Sequence, residues 1–130
     1  MKIGMLRTAG FAMALALPQA AVADGDAAAG ERVFRKCQAC HAVGEGAENK
    51  VGPVLNGVIG RTAGTLEGFA YSDAMVEAGQ NGEVWTEEEL DAYLTNPRAA
   101  VPGTKMSFAG LRNEDERENV IAYLATFSTE

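Results

Sequence analysis

The sequence predicts an all-α fold, organised as a single domain of about four to five helices. Four segments carry a regular pattern (26–36, 72–78, 86–95 and 113–127), and in each of them the apolar spacing or the bounding residues are helical. The connections between these segments are rich in glycine and proline. Because the chain contains neither an internal repeat nor a low-complexity tract, we expect one domain.

The first helix is predicted over 27–36, with Asp26 as its N-cap. Gly30 lies inside this helix, where a glycine costs about 1 kcal/mol relative to alanine. Phe34 follows four residues later on the same face. A glycine at this position is explained if a second helix crosses closely, so we expect a tight helix crossing at Gly30.

Two shorter helices are predicted in the middle of the chain. One covers 72–78 and is expected to stop at Gly79, ahead of a turn at 80–82. The other begins with Thr86 and Glu89, which have the spacing of a capping box, and ends at Asn96-Pro97. The apolar residues of this helix are Leu90, Tyr93 and Leu94.

The last helix is predicted to open at Asn113, with Glu116 at its third position. Its apolar residues recur at helical spacing and form one stripe. The members of that stripe are Val120, Ile121, Leu124 and Phe127.

The N-terminus has the composition of a secretory signal peptide, which we place at 1–23. Lys2 and Arg7 supply positive charge, a mainly apolar run follows at 8–17, and Ala21-Val22-Ala23 is a cleavage site of small residues. A retained membrane anchor is the alternative, but the run is shorter than the ~20 residues that a span needs. We therefore expect an exported domain at 24–130.

The chain is acidic, with a formal net charge of −7. Loss of Lys2 and Arg7 would leave nine basic against eighteen acidic side chains, a formal charge of −9. A chain of this charge is a poor binder of nucleic acid. We therefore expect no nucleic-acid partner.

The stretch Cys37-Gln38-Ala39-Cys40-His41 carries the chemistry. Two cysteines three residues apart, followed at once by a histidine, form the attachment motif of c-type haem. One helical turn lets both sulfurs form thioethers with one edge of a porphyrin. The chain then passes beneath the ring, where His41 can place a ring nitrogen on the iron.

Three other interpretations explain this stretch less well. A thioredoxin-like redox pair needs an α/β pattern, which the sequence lacks. A zinc site needs about four nitrogen or sulfur ligands, whereas the chain has two cysteines and one histidine. A structural disulfide leaves the adjacent His41 unexplained. We therefore predict one haem c, held covalently through Cys37 and Cys40.

Residues elsewhere can complete the iron site. Gly52-Pro53 can present a carbonyl to the second ring nitrogen of His41, as metal-ligating histidines usually require. Because His41 is the only histidine, the sixth ligand is Met75, Met106, a lysine or water. Met106 lies in a loop bounded by proline and glycine, whereas Met75 lies in a predicted helix, where packing is the commoner role. We favour Met106 because a loop can approach the ring closely. The histidine–methionine ligation that results suits electron transfer.

A wider set of motifs along the chain carries a family resemblance. Through these motifs, the segment from Gly25 onward resembles class I cytochrome c, the soluble mitochondrial and alphaproteobacterial type. The matching motifs are Cys37-Gln38-Ala39-Cys40-His41, Gly52-Pro53, Gly60-Arg61, Gly68-Phe69, Tyr71, Trp85, Asn96-Pro97, Pro102-Gly103-Thr104-Lys105-Met106 and Phe108-Ala109-Gly110.

The resemblance implies a cytochrome c fold wrapped around one haem. It makes Cys37 and Cys40 the thioether residues, His41 and Met106 the axial ligands, and Pro53 the acceptor of a hydrogen bond from His41. The residues that it places around the haem propionates are Arg61, Tyr71 and Trp85; from the residues alone, Arg61 and Tyr71 could equally be solvated. The residues that it places beside Met106 are Tyr93 and Thr104. Met75 departs from the family, since an asparagine is common there.

The implied function is that of a periplasmic single-electron carrier, not an enzyme. The resemblance implies a quinol:cytochrome c oxidoreductase as donor and a cytochrome c oxidase or photosynthetic reaction centre as acceptor. We expect a monomer that meets the membrane only through these complexes. A haem peroxidase or gas-binding protein is the catalytic alternative, but it needs distal acid–base groups, and the sequence offers no distal histidine. An attached domain of a larger redox enzyme is a third class.

The charged residues predict a dipolar molecule. The acidic residues concentrate at 83–91 and 114–118, on helices remote in sequence from the ligands. The basic residues near the haem-binding stretches are Arg32, Arg35, Lys36, Lys50, Arg98 and Lys105. Both groups could instead be ordinary solvated faces. We expect a positive haem face that meets an acidic patch on its partners.

Overall fold

A computed structural model describes residues 25–128 together with Gly4 and Gly10, so the predicted signal peptide lies almost wholly outside the described residues. Five helices follow one another: α1 (Ala27–Phe34), α2 (Asp73–Gln80), α3 (Glu87–Thr95), α4 (Pro97–Ala100) and α5 (Glu114–Ala125). Within 25–128 the helices are accompanied by one isolated antiparallel bridge, between Thr62 and Val84. The predicted all-α fold class is confirmed. No helix in this part of the chain is long and apolar enough to span a membrane.

Short polar side chains begin all five of these helices. Each accepts a hydrogen bond from a backbone N–H of the first turn, and the caps are Asp26, Ser72, Thr86, Asn96 and Asn113. The predicted capping box at Thr86 forms only in part. The Thr86 hydroxyl accepts from Glu89 N at 3.1 Å, but Thr86 N donates to Val84 O at 2.7 Å. That bond takes the place of the reciprocal one from Glu89.

One predicted boundary was wrong, and one short helix was not predicted. Helix α2 does not stop at Gly79 but continues to Gln80. A Cβ on Gly79 would overlap the carbonyl oxygen of Ala63, so this glycine permits close packing instead of ending the helix. The predicted end of α3 at Asn96-Pro97 is confirmed, but the sequence does not predict helix α4, which follows at once. Asn96 also caps a new turn that starts with Pro97, a residue favoured at the first helical position.

The tight crossing predicted at Gly30 is confirmed, and the partner helix is α5. A Cβ on Gly30 would overlap the carbonyl oxygen of Asn119 and lie 2.8 Å from the Cβ of Tyr123. One turn further along α1, the rings of Phe34 and Tyr123 lie 5.6 Å apart between centroids. Asp26 N also donates to Asn119 Oδ1 at 2.9 Å. This crossing fixes the C-terminal end of α1, from which the cysteine motif continues.

An ion pair ties α5 to α3. Arg117 Nε lies 2.7 Å from Asp91 Oδ1, and Arg117 Nη1 donates to Leu111 O at 2.9 Å. The guanidinium is largely buried, which makes the pair more than a solvated surface contact. Together with the crossing at Gly30, it holds α1, α3 and α5 around the interior.

Candidate cofactor site

The interior contains a cavity of about 330 Å³ that opens to the surface. Apolar side chains from α1, α2, α3 and α5 form much of its wall; among them are Phe34, Met75, Leu90, Leu94, Val120 and Leu124. All ten residues predicted for the site line it as well: Cys37, Cys40, His41, Pro53, Arg61, Tyr71, Trp85, Tyr93, Thr104 and Met106. The structure therefore brings together residues spread over seventy positions of the chain.

The cysteines lie in a helix-like turn that extends α1. Cys37 N donates to Phe34 O at 2.8 Å, and His41 N donates to Cys37 O at 2.9 Å. This turn carries Cys37, Cys40 and His41 to the cavity wall. Cys37 and Cys40 form no disulfide with each other, and both are partly buried. Burial raises the pKa of the Cys37 thiol to about 11, against the opposing charge of Lys36.

That pKa argues against a thioredoxin-like redox pair. Attacking cysteines in such pairs have a depressed pKa, because the thiolate is the nucleophile. The Cys37 thiol instead stays protonated at neutral pH, in a partly desolvated position at the cavity wall.

His41 is held through one of its two ring nitrogens. Its Nδ1 lies 2.7 Å from the carbonyl oxygen of Pro53. Because a carbonyl oxygen can only accept, Nδ1 carries the proton and donates, which leaves the lone pair on Nε2. Burial lowers the pKa of His41, and the bond to Pro53 opposes that shift in part. A neutral imidazole fixed in this tautomer is the state that a metal ligand requires.

Gly52 makes room for this imidazole. A Cβ on Gly52 would lie 2.8 Å from both His41 Nδ1 and His41 Nε2, closer than real contacts allow. The backbone of Gly52 is fixed by a bond from its N to Cys40 O at 2.8 Å. The two halves of the Gly52-Pro53 motif therefore act together, since glycine admits the ring and proline orients it.

Met106 is far from His41 in sequence but lines the same cavity, in a loop fixed by polar contacts. Tyr93 OH and Thr104 Oγ1 are 2.8 Å apart, and Met106 N donates to Thr104 Oγ1 at 3.4 Å. Tyr93 is itself buried on α3, with its ring 5.0 Å from the ring of Trp85. This chain of contacts fixes the loop on α3.

Met75, the alternative to Met106 among the methionines that the sequence offers as sixth ligand, also lines the cavity. It lies on α2, where Ser72 caps its backbone N–H, and its side chain is buried. In the sequence it has the helical context of an ordinary core residue. The loop at 62–65 packs closely on this helix, since a Cβ on Gly64 would lie 2.7 Å from Met75 O and a Cβ on Gly79 would overlap Ala63 O.

Arg61 and Tyr71 are not solvated surface residues, as one interpretation of the sequence allowed. Both are partly buried, and both line the cavity. Arg61 donates to Asn56 O at 3.3 Å and to Val54 O at 3.4 Å, and Tyr71 OH accepts from Leu66 N at 3.2 Å. Burial lowers the pKa of Arg61. Trp85 is joined to Arg61 by a bond from Trp85 N to Arg61 O at 2.9 Å.

The charge of the lining contrasts with that of the chain. Among the described residues, Lys36, Arg61 and Lys105 line the cavity, whereas no aspartate or glutamate does. The remaining wall is mostly apolar and aromatic. The cavity therefore fits a large apolar ring that carries acidic substituents. Two thiols and an imidazole on its wall match the attachment chemistry of c-type haem.

One predicted charge separation was wrong. Lys36 Nζ lies 3.2 Å from Glu116 on α5, so the acidic segment 114–118 is not remote from the haem-binding stretch. The cause is the packing of α1 on α5, which brings Glu116 beside the residue that precedes Cys37. Lys50 and Lys105 instead contact backbone oxygens, Gln38 O at 3.3 Å and Tyr71 O at 3.5 Å.

The sequence is similar to known proteins over most of its described length. The family model described as Cytochrome c matches residues 27–128. A cytochrome c2 of Afifella marina is 57% identical over 103 residues, which cover 79% of this chain and 83% of that protein. A cytochrome c2 of Blastochloris viridis is 51% identical over 116 residues, which cover 89% of each protein.

Solved structures share the fold. Cytochrome c2 from Rhodospirillum centenum superposes with a TM-score of 0.77 at 48% identity, covering 81% of this chain and all of that one. Cytochrome cH from Methylobacterium extorquens superposes with a TM-score of 0.71 at 44% identity, covering 78% of this chain and 99% of that one. In both cases the similarity spans almost the whole of the solved chain.

Proposed function

The chain belongs to the cytochrome c family, and we propose that it shuttles single electrons in the periplasm from a quinol:cytochrome c oxidoreductase to a cytochrome c oxidase or a photosynthetic reaction centre. Its cofactor is a covalently bound haem c, and the relatives named above make it an electron-carrying cytochrome. The observation that carries the proposal is the cavity at which the cysteine motif, the oriented His41 and Met106 meet.

Each residue at the cavity has a part in this proposal. Cys37 and Cys40 would hold the haem as thioethers, and His41 Nε2 and the sulfur of Met106 would be the ligands of its iron. The bond from His41 Nδ1 to Pro53 O, 2.7 Å long, supports this assignment because it leaves Nε2 to face a metal. The contacts that link Tyr93, Thr104 and Met106 N support the assignment of Met106, because they fix its loop at the cavity.

The bound haem supplies a reversible one-electron iron couple, whose potential histidine–methionine ligation raises. The protein's apolar wall excludes water, and Arg61 offers a partly buried positive charge to the acidic substituents. Two axial residues from the chain would leave the iron without a vacancy for a substrate. We therefore propose that the protein is an electron carrier and not an enzyme.

The visible spectra of both redox states test this function directly. We expect the reduced bands of low-spin haem c and, in the oxidised protein, the methionine–iron charge-transfer band. Carbon monoxide added to the reduced protein at neutral pH should leave the Soret band in place, since both axial positions are filled. Rapid and complete binding of carbon monoxide would instead favour a peroxidase or gas-binding protein.

Association with the membrane complexes should depend strongly on salt. Lys50 and Lys105 lie beside the cavity, and Glu116 already pairs with Lys36. At physiological salt the Debye length is about 8 Å, so the charges nearest the cavity mouth dominate the field that a partner meets there. We expect Lys105→Glu to slow stopped-flow electron transfer with a purified cytochrome c oxidase about ten-fold at low ionic strength.

The matched control adds the same charge elsewhere. Gln80→Glu combined with Asn81→Glu also changes the net charge by two units, and neither exposed residue lines the cavity. We expect this double variant to react nearly as fast as the wild type at every ionic strength. Wild-type rates that stay flat with salt, or that rise on reversal of Lys105, would show that docking is apolar or of opposite sign.

A further inference from the structure

Asparagine is followed by glycine at two places in the chain, Asn56-Gly57 and Asn81-Gly82. This pair is labile in water, because the backbone nitrogen of the glycine can attack the side-chain carbonyl of the asparagine, and glycine has no Cβ to hinder the attack. Both pairs lie in turns, and both glycines have positive φ, 70° at Gly57 and 96° at Gly82. The two pairs therefore have similar local backbones, and their surroundings can be compared directly.

The fold holds Asn56 by its side chain and by the backbone that follows it. Asn56 Oδ1 accepts from Gly44 N at 2.8 Å, and Asn56 Nδ2 donates to Gly44 O at 2.8 Å. The attacking atom of this pair, Gly57 N, donates to Phe127 O at 2.8 Å. Asn56 and Gly57 are also half-buried. Cyclisation here would break three hydrogen bonds, which join three separate segments of the chain.

The fold leaves Asn81 open by comparison. Asn81 and Gly82 are both exposed, and no hydrogen bond holds the Asn81 side chain in the part of the chain that the structure describes. The pair ends α2 in a Schellman motif, in which Gly82 N donates to Gly79 O and Glu83 N donates to Ala78 O, both at 3.0 Å. Attack by Gly82 N requires only its own bond to open, at a helix end, where backbone bonds fray readily.

We propose that Asn81 is a site of spontaneous deamidation in the folded protein, and that the fold protects Asn56 from the same reaction. Gly82 N gives its proton to hydroxide and bonds to Cγ of Asn81, and the bond from Cγ to Nδ2 breaks to release ammonia. Water then opens the resulting succinimide ring at one of its two carbonyls, which gives aspartate or isoaspartate. The net change consumes one water and releases one ammonia, without oxidation or reduction.

The products should weaken the end of α2 without reaching the cavity. Each carries a new negative charge at the C-terminal end of the helix, where the helix dipole disfavours anions. Glu77, four residues earlier on the same helix surface, repels that charge. We expect the thermal midpoint to fall by about 3 °C. Because neither Asn81 nor Gly82 lines the cavity, the visible spectrum should not change.

The experiment incubates the haem-containing protein at mildly alkaline pH and follows both pairs by peptide mapping with mass spectrometry. We expect Asn81 to deamidate at least about ten-fold faster than Asn56, because reaction at Asn56 needs its turn to open. In the same protein unfolded in denaturant, the two rates should agree within about two-fold, since the fold no longer distinguishes the pairs. An isoaspartyl methyltransferase with labelled S-adenosylmethionine identifies the isoaspartate in the peptide that contains Gly82.

The matched variant is Asn81→Gln, whose longer side chain would have to close a six-membered ring and therefore reacts more slowly. It should block deamidation at this pair and keep the thermal midpoint during incubation, whereas Asn81→Asp should have the lower midpoint from the start. Equal rates at the two pairs in the folded protein would overturn the proposal. So would an Asn81 that stays intact in the folded protein while both pairs react in denaturant. Neither result would affect the proposed carrier function, which the visible spectra and carbon monoxide test separately.

Discussion

Replacing Met106 with alanine is expected to leave the haem attached but to open one axial position of its iron. The thioethers of Cys37 and Cys40 do not depend on the loop at 102–108, so attachment should survive. Loss of a thioether ligand, which favours ferrous iron, should lower the potential by on the order of 0.2 V, within the ~0.8 V range that axial ligands control. Carbon monoxide should then bind the reduced variant, and the methionine–iron band should disappear.

Met75→Ala is the matched comparison, because the side chains of Met75 and Met106 line the same cavity. Met75 is buried on α2, whose packing against the loop at 62–65 holds it in place. Its truncation should cost stability, about 2–5 kcal/mol as for other buried methionines, without opening the iron. Redox titration and carbon monoxide binding of both variants decide the assignment. If Met75→Ala opens the iron and Met106→Ala does not, Met75 is the ligand.

Local chemistry explains why much of this site could be predicted from the sequence. The spacing of Cys37, Cys40 and His41 is set by one helical turn against one edge of a porphyrin, so the motif carries its own geometry. The caps at Asp26, Thr86 and Asn113 are equally local, since each side chain reaches the first turn of its own helix. The close helix crossing at Gly30 could also be predicted, because a glycine in a helix interior is unfavourable unless a feature such as a crossing requires it.

Features that depend on packing between distant segments could not be predicted in the same way. The sequence predicts a helix stop at Gly79, but the role of this glycine is set by the backbone of Ala63, sixteen residues away. The sequence also places Lys36 on a positive face, whereas in the structure Lys36 pairs with Glu116 across the α1–α5 contact.

A protein prepared without its haem should lose most of its helical structure. The cavity of about 330 Å³ lies among α1, α2, α3 and α5. The apolar side chains of these helices are therefore separated by the space that the haem fills, instead of packing on one another. Without the haem, the apolar wall of the cavity loses the partner atoms that it packs against. The whole stability of a domain of this size is only about 5–15 kcal/mol, so we expect this loss to unfold the chain.

The test is circular dichroism of a Cys37→Ala/Cys40→Ala variant purified without haem. We expect weak helical signal and no cooperative thermal transition, because α1 and α5 lose the surface on which their apolar faces pack. Addition of free haem to the same variant is the control, since His41 and Met106 remain to bind it and a ligand specific for the folded state restores stability by mass action. Helical signal should then return with the Soret band. A cooperative transition in the haem-free variant would instead show that the chain closes the cavity by itself, and that the caps and the α1–α5 crossing at Gly30 suffice to fold it.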